Sequence, residues 1–84
     1  MPAAQMSSEQ ILDMLQGILE REFEIPASRV LPAAQLAEDL DLDSLDAVVL
    51  AMSVEERTRL KFSAKDLESM HTVQQVVDTI QARL

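Results

Sequence analysis

The stretch Asp39-Leu40-Asp41-Leu42-Asp43-Ser44-Leu45-Asp46 decides how this chain is read. Acid alternates with leucine as far as Asp43, and at Ser44 the alternation breaks. Beyond the serine, Leu45, Val48, Val49 and Met52 recur at helical spacing, so a helix begins there. Asp43 and Ser44 are both suitable caps, and Asp46 places a negative charge in the first turn, where the helix dipole favours it. The spacing predicts a helix over about 44–59, with Leu45, Val48, Ala51 and Met52 facing inward.

Working outward, the segment before this motif is a long connection from Pro26 to Asp43, interrupted by Pro32. Connections of that length are uncommon in compact domains unless they serve a function. Val30, Leu31, Leu36 and Leu40 are spaced as anchors for it, with a short helical turn near 33–38. Further upstream, Ser7 and Gln10 fit the capping box of a first helix. Its apolar stripe is Ile11, Leu12, Leu15, Ile18, Leu19 and Phe23. Gly17, the only glycine, lies inside it. The helix stops at Ile25-Pro26, because proline drives the preceding residue out of the α region.

Downstream, Ser63 and Asp66 cap a short third helix carrying Leu67 and Met70. Thr72 and Gln75 form the box of a fourth, with Val73, Val76, Val77, Ile80 and Leu84 at helical period. The fold class expected is therefore all-α. It is a small four-helix bundle with a long loop between helices 1 and 2 and a short helix 3. Residues 1–84 form one domain, with 1–6 as a flexible tail. Only Phe23 and Phe62 are aromatic, so the core is aliphatic, with methionines as flexible filling.

The bulk numbers exclude several functions. A net charge of −8 repels nucleic acid, and no broad basic patch offsets it. The absence of cysteine leaves no disulfide, thiolate metal site or cysteine nucleophile, which is compatible with a cytoplasmic location. No apolar run approaches the ~20 residues that span a bilayer, and no signal peptide is recognisable. Charge is unevenly placed: seven acids and no Lys or Arg lie between Val30 and Glu56, followed by Arg57, Arg59, Lys61 and Lys65.

Ser44 reads on spacing alone as a plain N-cap. It also sits where a phosphate ester is favoured, since the first N–H groups of a helix lack partners and carry the positive end of the dipole. Asp41, Asp43 and Asp46 repel free phosphate, an objection that covalent attachment removes. Those acids then become a docking surface for basic enzymes.

Asp43-Ser44-Leu45-Asp46, with Asp39-Leu40-Asp41-Leu42 before it and a helix after it, resembles the attachment motif of the acyl carrier proteins. The resemblance extends over nearly the whole chain, as far as Thr72-Val73-Gln74-Gln75-Val76-Val77 opening the last helix. It implies that a transferase attaches phosphopantetheine from coenzyme A to Ser44 and that acyl groups ride on the arm as thioesters. It further implies a monomeric carrier with no catalysis of its own. The implied partners are the phosphopantetheinyl transferase and the acyl-loading, ketosynthase, reductase, dehydratase or acyltransferase enzymes of fatty-acid or polyketide-like pathways. Candidate docking residues are Asp39, Asp41, Asp43, Asp46, Glu55 and Glu56 for charge, with Leu45, Val49 and Met52 for apolar contact. A soft core is expected to open for an acyl chain between the second helix and Val76 or Ile80. Peptidyl and aminoacyl carriers share the fold and remain an alternative.

Departures from the family pattern are specific. Asp41 stands where glycine is usual, Val49 where an acid is frequent, and Thr58 where an aromatic is common. Arg57, Arg59 and Lys61 replace an acidic stretch, which favours a specialised carrier. Among other readings, a calcium loop fits Asp39, Asp41 and Asp43 but lacks glycine at its sixth position and glutamate at its twelfth. A serine hydrolase using Ser44 and His71 lacks a nucleophile elbow. A helical interaction module without cofactor explains the charge but not the serine. His71 is expected in the turn before the last helix.

Overall fold

The computed structural model describes residues 6–84, and the described residues form helices α1 (Ser8–Phe23), α2 (Ser44–Thr58), α3 (Ala64–Glu68) and α4 (Val73–Arg83). A 3-10 turn spans Ala27–Arg29. Each α-helix starts with a reciprocal capping box: Ser7 with Gln10, Asp43 with Asp46, Ser63 with Asp66, and Thr72 with Gln75. In each box a side-chain oxygen accepts the N3 amide and the N3 side chain accepts the cap amide, so two orphan donors are satisfied. These starts are therefore set by residues three apart in sequence.

Ile11, Leu15, Ile18 and Leu19 of α1 and Val73, Val76, Val77 and Ile80 of α4 are buried, as their stripes require. Leu12, Phe23 and Leu84 pack only partly against this core, which is aliphatic throughout. α1 ends where Glu24 turns left-handed (φ 57) and the Ile25 amide reaches back to the Leu19 carbonyl at 3.1 Å. That six-residue bond closes a Schellman-type terminus and buries Ile25 beneath it.

The connection 24–43 is anchored by Val30, Ala34, Leu36, Leu40 and Leu42. Its backbone is tied to the start of α4: the Val73 and Gln74 amides donate to the Ala34 and Pro32 carbonyls, and the Leu36 amide donates to the His71 carbonyl. First-turn donors of α4, which have no intrahelical partner, are thus used to hold the loop. Gln16 of α1 adds a bond from its side-chain amide to the Val30 carbonyl at 3.1 Å.

Four sequence expectations are corrected here. Leu31 is no anchor, being 56% exposed. The helical turn expected near 33–38 is absent; the 3-10 turn comes earlier, and residues 36–40 form hydrogen-bonded turns instead. Met6, expected in the tail, packs against the core, while residues 1–5 of that tail lie outside the described residues. The largest correction concerns α2. Leu50, Ala51, Val54 and Thr58 are its buried residues, whereas Leu45, Val48 and Met52, expected inward, are 71%, 41% and 56% exposed. Only Ala51 of the expected inward set is buried. α2 carries aliphatic residues around most of its circumference, so period alone cannot select the face.

Among the described residues, no helix is long and apolar enough to cross a membrane.

Candidate functional site

The acid–leucine alternation has a structural reason. Leu40 and Leu42 point into the core, and Asp39, Asp41 and Asp43 are left outside. The Leu42 amide donates to the Leu36 carbonyl at 2.9 Å, and the Asp39 carboxylate accepts the Gln35 amide at 2.7 Å. Arg29 donates to the Asp39 carbonyl from the 3-10 turn. The approach to α2 is therefore held by local bonds on both sides.

Asp41 adopts the left-handed conformation, with φ 56. Glycine meets no steric cost there, and aspartate is among the few other residues that tolerate it. The glycine that the resemblance leads one to expect at this position would thus have a conformational cause. Asp41 keeps the turn and adds a negative charge beside the serine.

Asp43 is the N-cap of α2. Its carboxylate accepts the Asp46 amide at 2.9 Å, and the Asp46 carboxylate accepts the Asp43 amide at 3.2 Å. This leaves Ser44 as the first helical residue, exposed, with its hydroxyl making no hydrogen bond among the described residues. The cap reading of Ser44 is thereby displaced: the capping is done by its neighbour. The amides of Ser44 and Leu45 have no intrahelical acceptor and lie at the positive end of the helix dipole.

Ser44 stands on the rim of an open groove of about 560 Å³ bounded by the loop end, the start of α2 and the α3–α4 connection. Its lining includes the buried Leu42 and Met70, the half-buried Leu67, and the exposed Val48, Glu68 and His71. Deeper, between α2 and α4, lies an apolar void of about 10 Å³ touching Leu50, Val54, Phe62, Val76 and Ile80.

The candidate docking residues fall into two groups. Asp39, Asp41, Asp43, Leu45 and Asp46 lie within five residues of Ser44 in the chain, and the exposed Val49, Met52 and Glu56 follow along α2. At 1.5 Å per residue, Glu56 stands roughly 18 Å along the helix axis from Ser44. Like Asp39, Asp43 and Asp46, the half-buried Glu55 is locally engaged: its carboxylate accepts the Phe62 amide at 2.8 Å and secures the α2–α3 connection. Leu45, described above as a possible inward residue, is the most exposed large apolar residue of the chain's described part. Arg57, Arg59, Lys61 and Lys65 are all exposed and have no ion-pair partner among the described residues. Thr58 is buried, donating to the Val54 carbonyl at 2.8 Å and accepting the Leu60 amide at 3.3 Å. His71 lies in the turn before α4, as expected, and is among the residues lining the groove. No metal-binding cluster of acids or histidine occurs among the described residues.

Comparison with known proteins decides the family. The family described as "Phosphopantetheine attachment site" matches residues 10–80. The chain belongs to the acyl carrier protein family. It is 38% identical to acyl carrier protein 2 of Ralstonia nicotianae over 79 residues, covering 94% of this chain and 98% of that one. Among solved structures, the acyl carrier protein of Enterococcus faecalis superposes with a TM-score of 0.77 at 26% identity, over 94% of this chain and all of that one. The acyl carrier protein of Thermotoga maritima, at 18% identity and a TM-score of 0.84 over 94% and 92% of the two chains, shares the fold. The all-α bundle read from the sequence is the family's fold, and the phosphopantetheine arm that carries acyl intermediates is the family's cofactor.

The residues present fit that group. An exposed hydroxyl without a structural role stands at a helix start, beside unpartnered amides and an open groove. The groove residues Leu67 and Glu68 were not foreseen as site residues, and His71 was considered only as a hydrolase partner of Ser44. Leu67 and Glu68 end α3 and His71 lies in the α3–α4 connection, and no local pattern ties them to Ser44.

Proposed function

We propose that Ser44 carries the phosphopantetheine arm and that this carrier presents acyl thioesters to enzymes of a fatty-acid or polyketide-like pathway, without bond chemistry of its own. The observation that supports this is the division of labour at the start of α2. Asp43 caps the helix, so the Ser44 hydroxyl is released for modification. The arm, when bound, supplies a terminal thiol for acyl groups. Ser44 Oγ is the ester oxygen, and the Ser44 and Leu45 amides favour the negative phosphate. Leu40 and Leu42 fix the approach to it.

Partners reach the serine over an acidic rim and an apolar strip. Asp39, Asp41, Asp43, Asp46 and Glu56 offer charge to basic docking patches, including that of the phosphopantetheinyl transferase. Leu45, Val49 and Met52 offer exposed apolar surface of the kind that marks protein contact sites. Beyond them the unpaired Arg57, Arg59 and Lys61 give the far end the opposite sign, which supports dedicated partners over a general set. The void between α2 and α4 is the place where an acyl chain would enter, since its lining is apolar throughout, Phe62 among aliphatic residues and Met70. A monomer working in the cytoplasm is the setting this reading implies.

The test is an intact mass. Apo protein is incubated with coenzyme A and a broad-range phosphopantetheinyl transferase, beside Ser44→Ala. A gain of one phosphopantetheine that the substitution abolishes is expected. A gain that survives it, or none with several transferases, refutes the assignment.

A further inference from the structure

Four of the chain's seven Lys and Arg residues, Arg57, Arg59, Lys61 and Lys65, fall within residues 57–65, and no acid lies among them. All four are exposed, and none is ion-paired among the described residues. Acids beside them are engaged elsewhere: the Glu55 carboxylate accepts the Phe62 amide, and the Asp66 carboxylate is held by Arg83 and the Ser63 amide. Folding accounts for part of the cluster. The helix dipole favours a cation in the last turn of α2, which suits Arg57. Arg59 takes the left-handed C-cap at φ 62, a conformation that glycine adopts without steric cost. Lys61 and Lys65 lie past the turn over which the α2 dipole acts. Four like charges in nine residues repel one another, and the fold leaves that repulsion uncompensated.

We propose that residues 57–65 are a second docking patch, which fits an acidic surface of a protein partner about 20 Å from the basic mouth of that partner's active site. The inference rests on attachment at Ser44, which brings the partner's mouth to the start of α2. At 1.5 Å per residue, Arg57 stands roughly 20 Å along α2 from Ser44, more than twice the ~8 Å Debye length at physiological ionic strength. A partner therefore meets two separate patches of opposite sign, and the acids near Ser44 do not cancel the cations. Between the patches, the exposed Leu45, Val49, Met52 and Glu56 follow one another at spacings of four, three and four, so they share a face of α2. Opposite signs at its two ends allow α2 one direction on the partner and oppose the reverse, so the arm enters in one orientation. A partner whose docking face is basic throughout is repelled by Arg57, Arg59, Lys61 and Lys65, so the patch also selects. The charge around the patch favours a protein over a phosphate-rich surface. A net charge of −8, with seven acids between Val30 and Glu56, repels a uniformly anionic membrane or nucleic acid. A protein surface can carry both signs that far apart.

The test uses holo protein whose modification is first verified by mass. The probe is one ketosynthase with a basic active-site mouth, unmodified and with pairs of Glu introduced in turn at positions roughly 20 Å around that mouth. Fluorescence anisotropy should show at least one Glu form binding about tenfold more tightly than the unmodified enzyme, with the gain lost at high salt. Lys61→Glu with Lys65→Glu should reverse that preference, and Lys61→Arg with Lys65→Arg should keep it. Both pairs lie outside α2, so far-UV circular dichroism should stay helical. With attachment verified, no Glu form bound more tightly, or a gain that survives Lys61→Glu with Lys65→Glu, overturns the second patch alone. Binding to phosphatidylglycerol vesicles, or self-association in sedimentation velocity, that the same substitutions abolish assigns the cations to a lipid surface or a second copy and also overturns it. No attachment at Ser44 overturns both readings.

Discussion

Replacing Asp43 and Ser44 one at a time separates the residue that caps α2 from the residue proposed to carry the arm. In Asp43→Ala, the bond to the Asp46 amide is lost and the Asp46 carboxylate loses the geometry that held it to the Asp43 amide. Loss of an N-cap costs about 1 kcal/mol, within a range of roughly 0.5–2 kcal/mol. For a domain of this size, about 1 kcal/mol lowers Tm by roughly 4–8 °C. Asp43→Asn keeps an equivalent cap and loses only a favourable charge at the dipole, a few tenths of a kcal/mol. Ser44→Ala removes a hydroxyl that bonds to nothing described and sits at an exposed first-turn position, so its stability should change by less than about 0.5 kcal/mol. Urea titration followed by circular dichroism, with thermal melts beside it, reads all three, and the m-value should stay constant. If Ser44→Ala destabilises as much as Asp43→Ala, the serine is the cap and the released hydroxyl is an error.

Other outcomes follow from single features of the fold. A Cβ added at Gly17 meets nothing within 4 Å, so Gly17→Ala should stabilise α1 by about 1 kcal/mol in the same melts. Asp41→Gly should be neutral or stabilising by up to about 1 kcal/mol, because φ 56 costs glycine nothing, whereas β-branched Asp41→Val should lose more than about 1 kcal/mol. Asp66 is held at a pKa of about 2, chiefly by its hydrogen bond from Arg83 and then by the Ser63 amide. A carboxylate depressed in the folded state stabilises above its unfolded value and loses that contribution as pH falls from about 4 to about 2. Arg83→Gln should therefore raise the Asp66 titration midpoint, followed by NMR, and flatten acid destabilisation in that window.

Much of the fold was legible because its signals are local. A capping box joins residues three apart, and all four helix starts have one, so Ser7, Ser63 and Thr72 could be placed from sequence. The start of α2 was narrowed to Asp43 or Ser44, and the structure chose Asp43 because its carboxylate reaches the Asp46 amide. The stripes of α1 and α4 are one-sided, and their buried residues follow the period. The acid–leucine stretch that resembles an attachment motif is equally local, since Asp39 to Asp46 are consecutive.

Only the tertiary structure decided which side of α2 is inside. Leu45, Val48, Val49 and Met52 compete with Leu50, Ala51 and Val54, and the helix buries whichever face the rest of the chain can cover. The loop residues Leu36, Leu40 and Leu42, held by bonds to the start of α4, join the second set in the core. That choice turns the first set outward as exposed apolar surface. It also brings residues 67–71 against residues 42–48, which opens the groove at Ser44. The sequence by itself determined where helices begin and which hydroxyl stands at the start of α2. Burial is a property of the whole assembly, so the surface around that hydroxyl was fixed only when the loop and α4 closed over the other face.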